Sequence, residues 1–219
     1  MGASAAETQE TLIRDALLPN LTILYCDNIT LATGAVVSTP TEHNLMEATA
    51  DTMSLLTPKM VAKAVTRFKK SRVPTINGKY YAVIHPSVAH DLRQSEEWIE
   101  AHKYANTEEI YNGEIGELHG CRFIENVFAP ILGGEDYKNK AGGVTYATYF
   151  FGKDAFGIID PEGGALEMIV KDKSQIGGPL NQFSTIGYKF ETNGATILYP
   201  ERVLRVMSCS SFSAQDEAN

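Results

Sequence analysis

The 219-residue sequence lacks long apolar runs, and no hydrophobic stretch approaches the roughly 20 residues that a membrane-spanning helix needs. It is also short of positive charge, because 19 Lys and Arg stand against 27 Asp and Glu, for a net charge of −8. This balance argues against a general nucleic-acid binder, since contacts to phosphate groups require cations. The first residues form neither a signal peptide nor a myristoylation motif. We therefore expect no membrane partner and no secreted product.

Cysteine is scarce as well. The three cysteines, Cys26, Cys121 and Cys209, are odd in number and scattered, which predicts a reducing compartment and buried, inert thiols. With 43% hydrophobic and 21% charged residues, the chain has the composition of a soluble globular protein and not of a disordered one. Its length allows one sizeable domain, or two that share a core.

Helical and strand patterns are mixed without a regular βαβ alternation, which predicts an α+β fold. A first helix is predicted over 7–27, with Pro19 kinking or ending it. A second helix is predicted to begin at Pro58, with Thr57 as its cap. The clearest strand is 79–85, which follows the turn signal Asn77-Gly78.

Further along the chain, the glycines within 111–120 predict a shaped loop. Ser95 is predicted to cap a helical turn in which Trp98 and Ile99 face inward. The polar segment 208–219 is expected to fray.

Motifs for catalysis and for cofactor binding are missing. Five scattered histidines give no metal-ligand spacing, and neither a nucleophile elbow nor a complete Walker motif is present. Cys121 lies two residues from His119, but it is predicted to begin a strand that points into the core. His85 is interpreted as a strand-end residue bonded to local backbone. We therefore predict no catalytic residue, no metal and no cofactor.

Charge is segregated along the chain. Seven basic and no acidic residues fall within 59–79, whereas eight acidic and two basic residues fall within 91–117. A module with one positive and one negative lobe is suited to head-to-tail self-association. The alternative is that the lobes face each other within one subunit, or face water. The interface candidates are Lys63, Arg67, Lys70, Glu96, Glu97, Glu100, Glu114 and Glu117.

Several sequence blocks then suggest a family. The block YYAVIHPSVAHDLR at 80–93, followed by Trp98 and Tyr104, resembles bacteriophage major capsid proteins of the group typified by the phage N-four coat protein. The resemblance covers roughly 7–208, and its blocks occur in the family's order. The further blocks are NGEIGELHGCRFIEN, YFFGKDAFGIID, GGPLNQFSTIGYKF and ATILYPERVLRVMS.

The resemblance implies the tailed-phage major capsid fold, also called HK-ninety-seven-like, in which a peripheral domain carries an inserted axial domain. On this mapping, 1–56 holds the spine helix and part of the peripheral domain. The axial domain would cover 57–185, and 186–219 would return to the peripheral domain and end in a polar tail. Family members usually carry an N-terminal arm and an extended hairpin before the spine helix, and this sequence shows neither.

The implied function is structural: a major capsid subunit that forms hexamers and pentamers and builds the icosahedral head. Such a shell encloses phage DNA without sequence-specific binding, assembles in the bacterial host cytoplasm, and can bind portal, scaffold or decoration proteins. The segments 111–120 and 133–143 would contact neighbouring subunits. The alternatives are an encapsulin-type nanocompartment shell, a small hydrolase using Cys121 or His85, and a small regulatory or binding module.

Overall fold

A computed structural model describes most of the chain, and the chain divides into two compact units. The smaller unit comprises Met1–Pro19 and Phe156–Ile197, and the larger comprises Asn20–Ala155 and Leu198–Asn219. The predicted axial segment, 57–185, has residues in both units, and its assignment as an axial domain stays a prediction. The residues described are 2–19, 22–102, 114–134, 136–158, 167–175, 180, 182–189, 195–213 and 216–218.

Helices and strands are mixed, and the predicted α+β class is confirmed. The four α-helices within the described residues are α1 (Gly2–Leu17), α2 (Pro58–Lys70), α3 (Pro86–Arg93) and α4 (Glu96–His102), and short 3-10 helices lie at His43–Leu45, Lys173–Gln175 and Pro200–Arg202. The strands are β1 (Thr22–Tyr25), β2 (Asn28–Thr30), β3 (Val36–Ser38), β4 (Thr52–Met53), β5 (Tyr80–Ile84), β6 (Glu114–Leu118), β7 (Cys121–Glu125), β8 (Ile131–Leu132), β9 (Thr145–Phe151), β10 (Phe156–Ile158), β11 (Glu167–Lys171), β12 (Thr185–Lys189), β13 (Ala195–Ile197) and β14 (Val203–Ser208).

The larger unit is built on a seven-stranded mixed sheet. The strand order is β1-β14-β9-β5-β7-β6, and β8 pairs with β9 outside this path. β1 runs parallel to β14 and β5 runs parallel to β7, whereas the other pairs are antiparallel. All six residues of β14 are buried, as are the first six of β9, so both sides of these two inner strands are covered. A separate sheet of order β3-β2-β4 completes the unit.

α2 supplies one wall of the core of the larger unit. Its apolar positions repeat at helical spacing, and the side chains of Met60, Val61, Ala64, Val65 and Phe68 are all buried. The Phe68 ring lies 5.2 Å from the Tyr80 ring on β5. These side chains belong to the same core cluster as residues of the central strands. The helix predicted to begin at Pro58 is therefore confirmed, and it is amphipathic.

Backbone geometry fixes both ends of α2. Thr57 is the N-cap residue, as predicted, and it precedes Pro58 in an extended conformation, but its side chain makes no capping hydrogen bond. At the other end, Arg72 adopts a left-handed φ of 54°, and the Val73 N–H donates to the Phe68 carbonyl at 3.0 Å. This closure satisfies carbonyls that the last turn would otherwise leave unpaired.

The smaller unit contains α1 and two antiparallel strand pairs. β10 pairs with β13, and β11 pairs with β12 in the register Glu167↔Lys189 to Lys171↔Thr185. The Ser4 and Thr8 hydroxyls of α1 lie near the Tyr188 oxygen on β12 and lower the pKa of Tyr188, because donation from them favours its charged form. No described helix is long and apolar enough to cross a bilayer.

The first helix is shorter than predicted. It ends at Leu17, and the Leu18 N–H donates to the Asp15 carbonyl in a final turn before Pro19. The predicted extent to residue 27 is wrong because the apolar and β-branched segment 22–25 forms β1 instead. The pairing of β1 with β14 outweighs the local helical pattern.

A hairpin replaces much of the loop predicted over 111–120. β6 and β7 are joined by His119 and Gly120, whose φ values of 54° and 79° are those of a two-residue hairpin turn. Gly116 lies beside a shift in register and has a φ of 130°, which explains why the strand pattern was hidden. Residues 111–113 of the predicted loop lie outside the described residues.

Gly152 marks a close approach between backbone segments, and it yields a stability prediction. A Cβ atom at this position would lie 2.4 Å from a Val73 methyl carbon and 2.8 Å from the Pro74 carbonyl oxygen. We expect Gly152→Ala to lower the free energy of unfolding by about 1–3 kcal/mol, as overpacking does elsewhere. Urea unfolding followed by the fluorescence of Trp98, the single tryptophan, measures the change.

Gly134→Ala is the matched control, because a Cβ atom at Gly134 meets nothing within 4 Å. Equal stability of the two alanine variants would contradict the proposed close approach.

Candidate assembly surfaces

The exposed side of α2 carries a basic stripe, formed by Lys63, Arg67 and Lys70. All three side chains are exposed, on the side of the helix away from the core. The Lys63 amino group lies 3.9 Å from an Asp27 carboxylate oxygen, at the limit of an ion pair. Arg67 and Lys70 make no ion pair with any other described residue. The predicted basic surface is therefore present, and two of its three charges have no partner within the described chain.

The acidic stripe lies on α4, and Glu96, Glu97 and Glu100 are all exposed. Trp98 orients the helix, since it is buried with its ring 5.8 Å from that of Phe123 in an edge-to-face arrangement. None of the three carboxylates forms an ion pair with a described residue.

Ile99 does not face inward as predicted, because half of its surface is exposed. α4 has only seven residues, so the sequence offers too few turns to fix which side is buried.

A groove of about 600 Å³ lies beside the acidic stripe in the larger unit. Its walls are the turn after β2, the segment that enters α2, and the junction between α3 and α4. Four acidic side chains and one basic side chain line it: Asp27, Asp91, Glu96, Glu97 and Lys59. The groove is therefore a negatively charged concavity that continues the surface of α4, and sequence reasoning did not find it.

The acidic candidates on β6 differ from those on α4. Glu117 forms an ion pair with Lys79, so here the basic and acidic segments meet within one subunit. For this one pair of residues, the basic and acidic lobes therefore face each other within the same subunit, which was the alternative to a contact between subunits. Glu114 begins β6, and its side chain lies outside the described residues. For both residues, a contact with a neighbouring subunit stays a prediction.

The segment 133–143, expected to reach neighbouring subunits, folds onto its own chain where the structure describes it. Asn139 is buried, and its side-chain oxygen accepts hydrogen bonds from the backbone N–H groups of Ala141 and Gly143, each at 3.0 Å. The Lys140 amino group lies 2.9 Å from a Glu47 carboxylate oxygen. The segment is therefore a braced turn.

The C-terminal segment does not fray, and the prediction for 208–219 is wrong over its described residues. Ser208, Cys209 and Ser210 are buried, and the Cys209 N–H donates to the Ser54 carbonyl at 2.7 Å. The Ser211 N–H then donates to an Asp91 carboxylate oxygen at 2.9 Å, and the Ser211 hydroxyl donates to the other. Ser211 also lines the groove, so the end of the chain forms part of the candidate surface.

Asp216 attaches the last described residues to the body of the larger unit. Its carboxylate accepts hydrogen bonds from the hydroxyls of Ser213 and Tyr146, each at 2.5 Å, and of Ser87 at 3.2 Å. The bonds from Ser213 and Tyr146 lower the pKa of Asp216, because they favour its charged form. Burial and the nearby Asp216 carboxylate raise the pKa of Tyr146.

The side chains considered for catalysis are engaged in the fold. Cys121 is fully buried in the core cluster, and burial raises the pKa of its thiol, which disfavours the thiolate that a nucleophile needs. His85 caps α3, where its Nδ1 accepts a hydrogen bond from the Ser87 N–H at 3.2 Å, as predicted for a locally bonded residue. All three cysteines are free and buried, which confirms the prediction of buried thiols.

The described residues contain no group of three or more potential metal ligands.

No family model and no curated protein sequence matches the chain. Solved structures do match. A chain of Mycobacterium phage Che8 is 18% identical over 94% of this chain and 60% of its own length, with a TM-score of 0.54. A chain from the capsid of Helicobacter pylori bacteriophage KHP30 is 12% identical over 94% of this chain and 68% of its own, with a TM-score of 0.61. A chain of the holo-SrpI encapsulin complex from Synechococcus elongatus PCC 7942 is 10% identical over 99% of this chain and 65% of its own length, with a TM-score of 0.53.

The fold is that of the tailed-phage major capsid proteins. It is the HK-ninety-seven-like fold that the sequence resemblance implies, and the prediction of fold class is confirmed. Identities of 18% or less show shared architecture and nothing finer. The chain spans 60–68% of the length of the three chains described above.

The attachment of Asp216 yields a prediction with a defined pH dependence. Its lowered pKa stabilises the folded chain above the unfolded-state pKa of about 3.9, and this contribution is lost as the pH falls through the lower folded-state value. At pH 7 we expect Asp216→Asn to cost about 1 kcal/mol of unfolding free energy, a modest figure because the carboxylate is half-buried. The difference from the unmodified chain is expected to stay constant from pH 8 to pH 5.

Urea titrations followed by Trp98 fluorescence at several pH values provide the measurement, with Glu217→Gln, an exposed neighbouring carboxylate, as the control. An Asp216→Asn variant as stable as Glu217→Gln at pH 7 would show that these bonds do not hold the segment.

Proposed function

We propose that the chain is a major capsid subunit that self-assembles into the icosahedral head of a tailed phage. The similarity of fold to capsid chains over 94% of this chain carries the proposal. The unpaired charges of α2 and α4 support it, since they provide surfaces for other subunits. In this function the protein catalyses no reaction, and it acts through the contacts that it makes with neighbouring subunits.

The contact that we propose within each ring is heterologous: the basic stripe of one subunit meets the acidic stripe and groove of the next. Such head-to-tail contacts close into rings when the rotation between subunits permits. Exposed ion pairs contribute only about 0–1 kcal/mol each, so the charges select orientation while apolar burial supplies affinity. Hexamers and pentamers would both arise from this one contact.

The net charge of −8 is consistent with a shell protein that encloses DNA without sequence-specific binding. We propose that the head assembles in the cytoplasm of a bacterial host and becomes part of the virion. Portal, scaffold and decoration proteins are the expected additional partners. Membership of the group typified by the phage N-four coat protein, and the assignment of 57–185 as the axial domain, are parts of the same proposal.

The second candidate is an encapsulin-type shell, which the match to the SrpI encapsulin complex over 99% of this chain favours. The two functions differ in what the shell contains. A capsid purified from infected cells contains phage DNA, whereas a nanocompartment contains a protein cargo. Nuclease-protected DNA within purified particles would decide for the capsid.

Electron microscopy of the purified chain tests self-assembly directly. We expect closed shells, or rings of five and six subunits. A chain that stays monomeric at high concentration and moderate salt would contradict the proposal.

Charge reversal tests the contact itself. We expect Arg67→Glu together with Lys70→Glu to abolish shells and rings, because like charges then face each other across the contact. Adding Glu97→Lys and Glu100→Lys should restore assembly by exchanging the two signs. Light scattering and electron microscopy at moderate salt measure the outcome.

The matched control is Lys69→Glu with Lys153→Glu. It makes the same change in net charge at two exposed residues outside the basic stripe, and it should assemble normally. Unaltered assembly of the Arg67 and Lys70 variant would rule out this contact, and equal loss in the control would trace the effect to net charge alone.

A further inference from the structure

The hairpin of β11 and β12 in the smaller unit leaves large apolar side chains in solvent. Every residue of β11 is exposed, including Met168 at 58%, Ile169 at 38% and Val170 at 59%. On β12, Ile186 is 54% exposed. An isolated two-stranded hairpin is only marginally stable, and exposed apolar patches mark surfaces that pack against another molecule.

β11 also has an open edge. One edge pairs with β12, and among the described strands none pairs with the other. Unpaired N–H and C=O groups along such an edge are a template for another strand. The Tyr188 oxygen lies near the hydroxyls of Ser4 and Thr8, which places β12 beside α1 within its own unit. Among the described strands the outer edge of β12 is unpaired as well, so the choice between the two edges rests on their sequences.

The sequence of β11 is self-complementary in the antiparallel direction. Read as Glu-Met-Ile-Val-Lys, it places Glu167 opposite Lys171 of a second copy when the two strands pair about Ile169. Met168 then faces Val170, and Ile169 faces its own counterpart. Neither Glu167 nor Lys171 forms an ion pair within 4 Å of a described residue, although Glu167 lies opposite Lys189 across the hairpin.

β12 lacks this property. Antiparallel self-pairing of Thr-Ile-Gly-Tyr-Lys would set Thr185 against Lys189 and glycine against glycine, with no charge matched. The charge pattern therefore distinguishes one edge of the hairpin from the other.

We propose that β11 pairs edge to edge with β11 of a second copy of this chain about a two-fold axis. The inference rests on the proposed function, because it takes the partner to be another shell subunit. Two Glu167–Lys171 pairs and the apolar pairs between them fix the register, and opposite charges across strands favour it. The contact is isologous, unlike the head-to-tail contact proposed for α2 and α4.

A single cysteine tests the two-fold axis. In the proposed pairing, residue 169 lies opposite its own copy with Cβ atoms about 4.5–5.5 Å apart, close to disulfide distance. We expect Ile169→Cys to form a covalent dimer under mild oxidation with diamide, seen on a non-reducing gel. Ile186→Cys, an exposed position on β12, is the matched control and should form at least fivefold less dimer, an order-of-magnitude expectation for collisional cross-linking. The native cysteines are buried and should not interfere.

Charge exchange tests the register. We expect Lys171→Glu in the Ile169→Cys background to reduce cross-linking about tenfold, because two cross-strand pairs become repulsive. Glu167→Lys with Lys171→Glu restores self-complementarity and should restore the dimer.

The outcomes separate this inference from the proposed function. Shells that form without a residue-169 dimer, or with equal dimer from Ile186→Cys, overturn the β11 contact and leave the capsid function standing. A residue-169 dimer that responds to the charge exchange supports the contact, whether or not shells form. Absence of both shells and dimer overturns both.

Discussion

The burial of one side of α2 against the central sheet is the constraint on which the larger unit depends. Because burying an unpaired charge is costly, the charged residues of this helix must lie on the side opposite the core. The order of residues in α2 therefore fixes both the core and the basic stripe. A change that rotated the helix would bury Lys63 and Arg67 and expose Val61 and Phe68, so packing and surface charge cannot vary independently.

Periodicity predicted what is local and failed where long-range contacts decide. The start of α2 at Pro58 and the local bonding of His85 followed from neighbouring residues, as did the turn at Asn77 and Gly78, which have φ values of 51° and 81°. The prediction placed the residues of β1 in the first helix. The pairing of β1 with β14 joins segments about 180 residues apart, so the local sequence pattern does not reveal it. The attachment of Ser211 to Asp91 also spans a large separation and leaves no local pattern in a polar tail.

The candidate surfaces show the same division. Charge segregation predicted the exposed stripes on α2 and α4, since unbalanced charges in a sequence are usually solvated. It could not show that Glu117 is already paired with Lys79 or that α4 borders a groove, because both depend on how distant segments pack. The self-complementary pattern of β11 was visible in the sequence, but it gained meaning only when the strand was seen to lie at an open edge.

A closed icosahedral shell needs more than one kind of contact. Heterologous contacts repeat around five-fold and six-fold axes and produce rings, but rings alone do not join into a shell. Joining them requires contacts across two-fold or three-fold axes, and a strand that is complementary to its own copy can supply the two-fold. Since each charged or edge contact is individually weak, neither kind would hold two subunits together for long. Closure of the lattice lets many such contacts act at once, and subunits can still rearrange before it is complete.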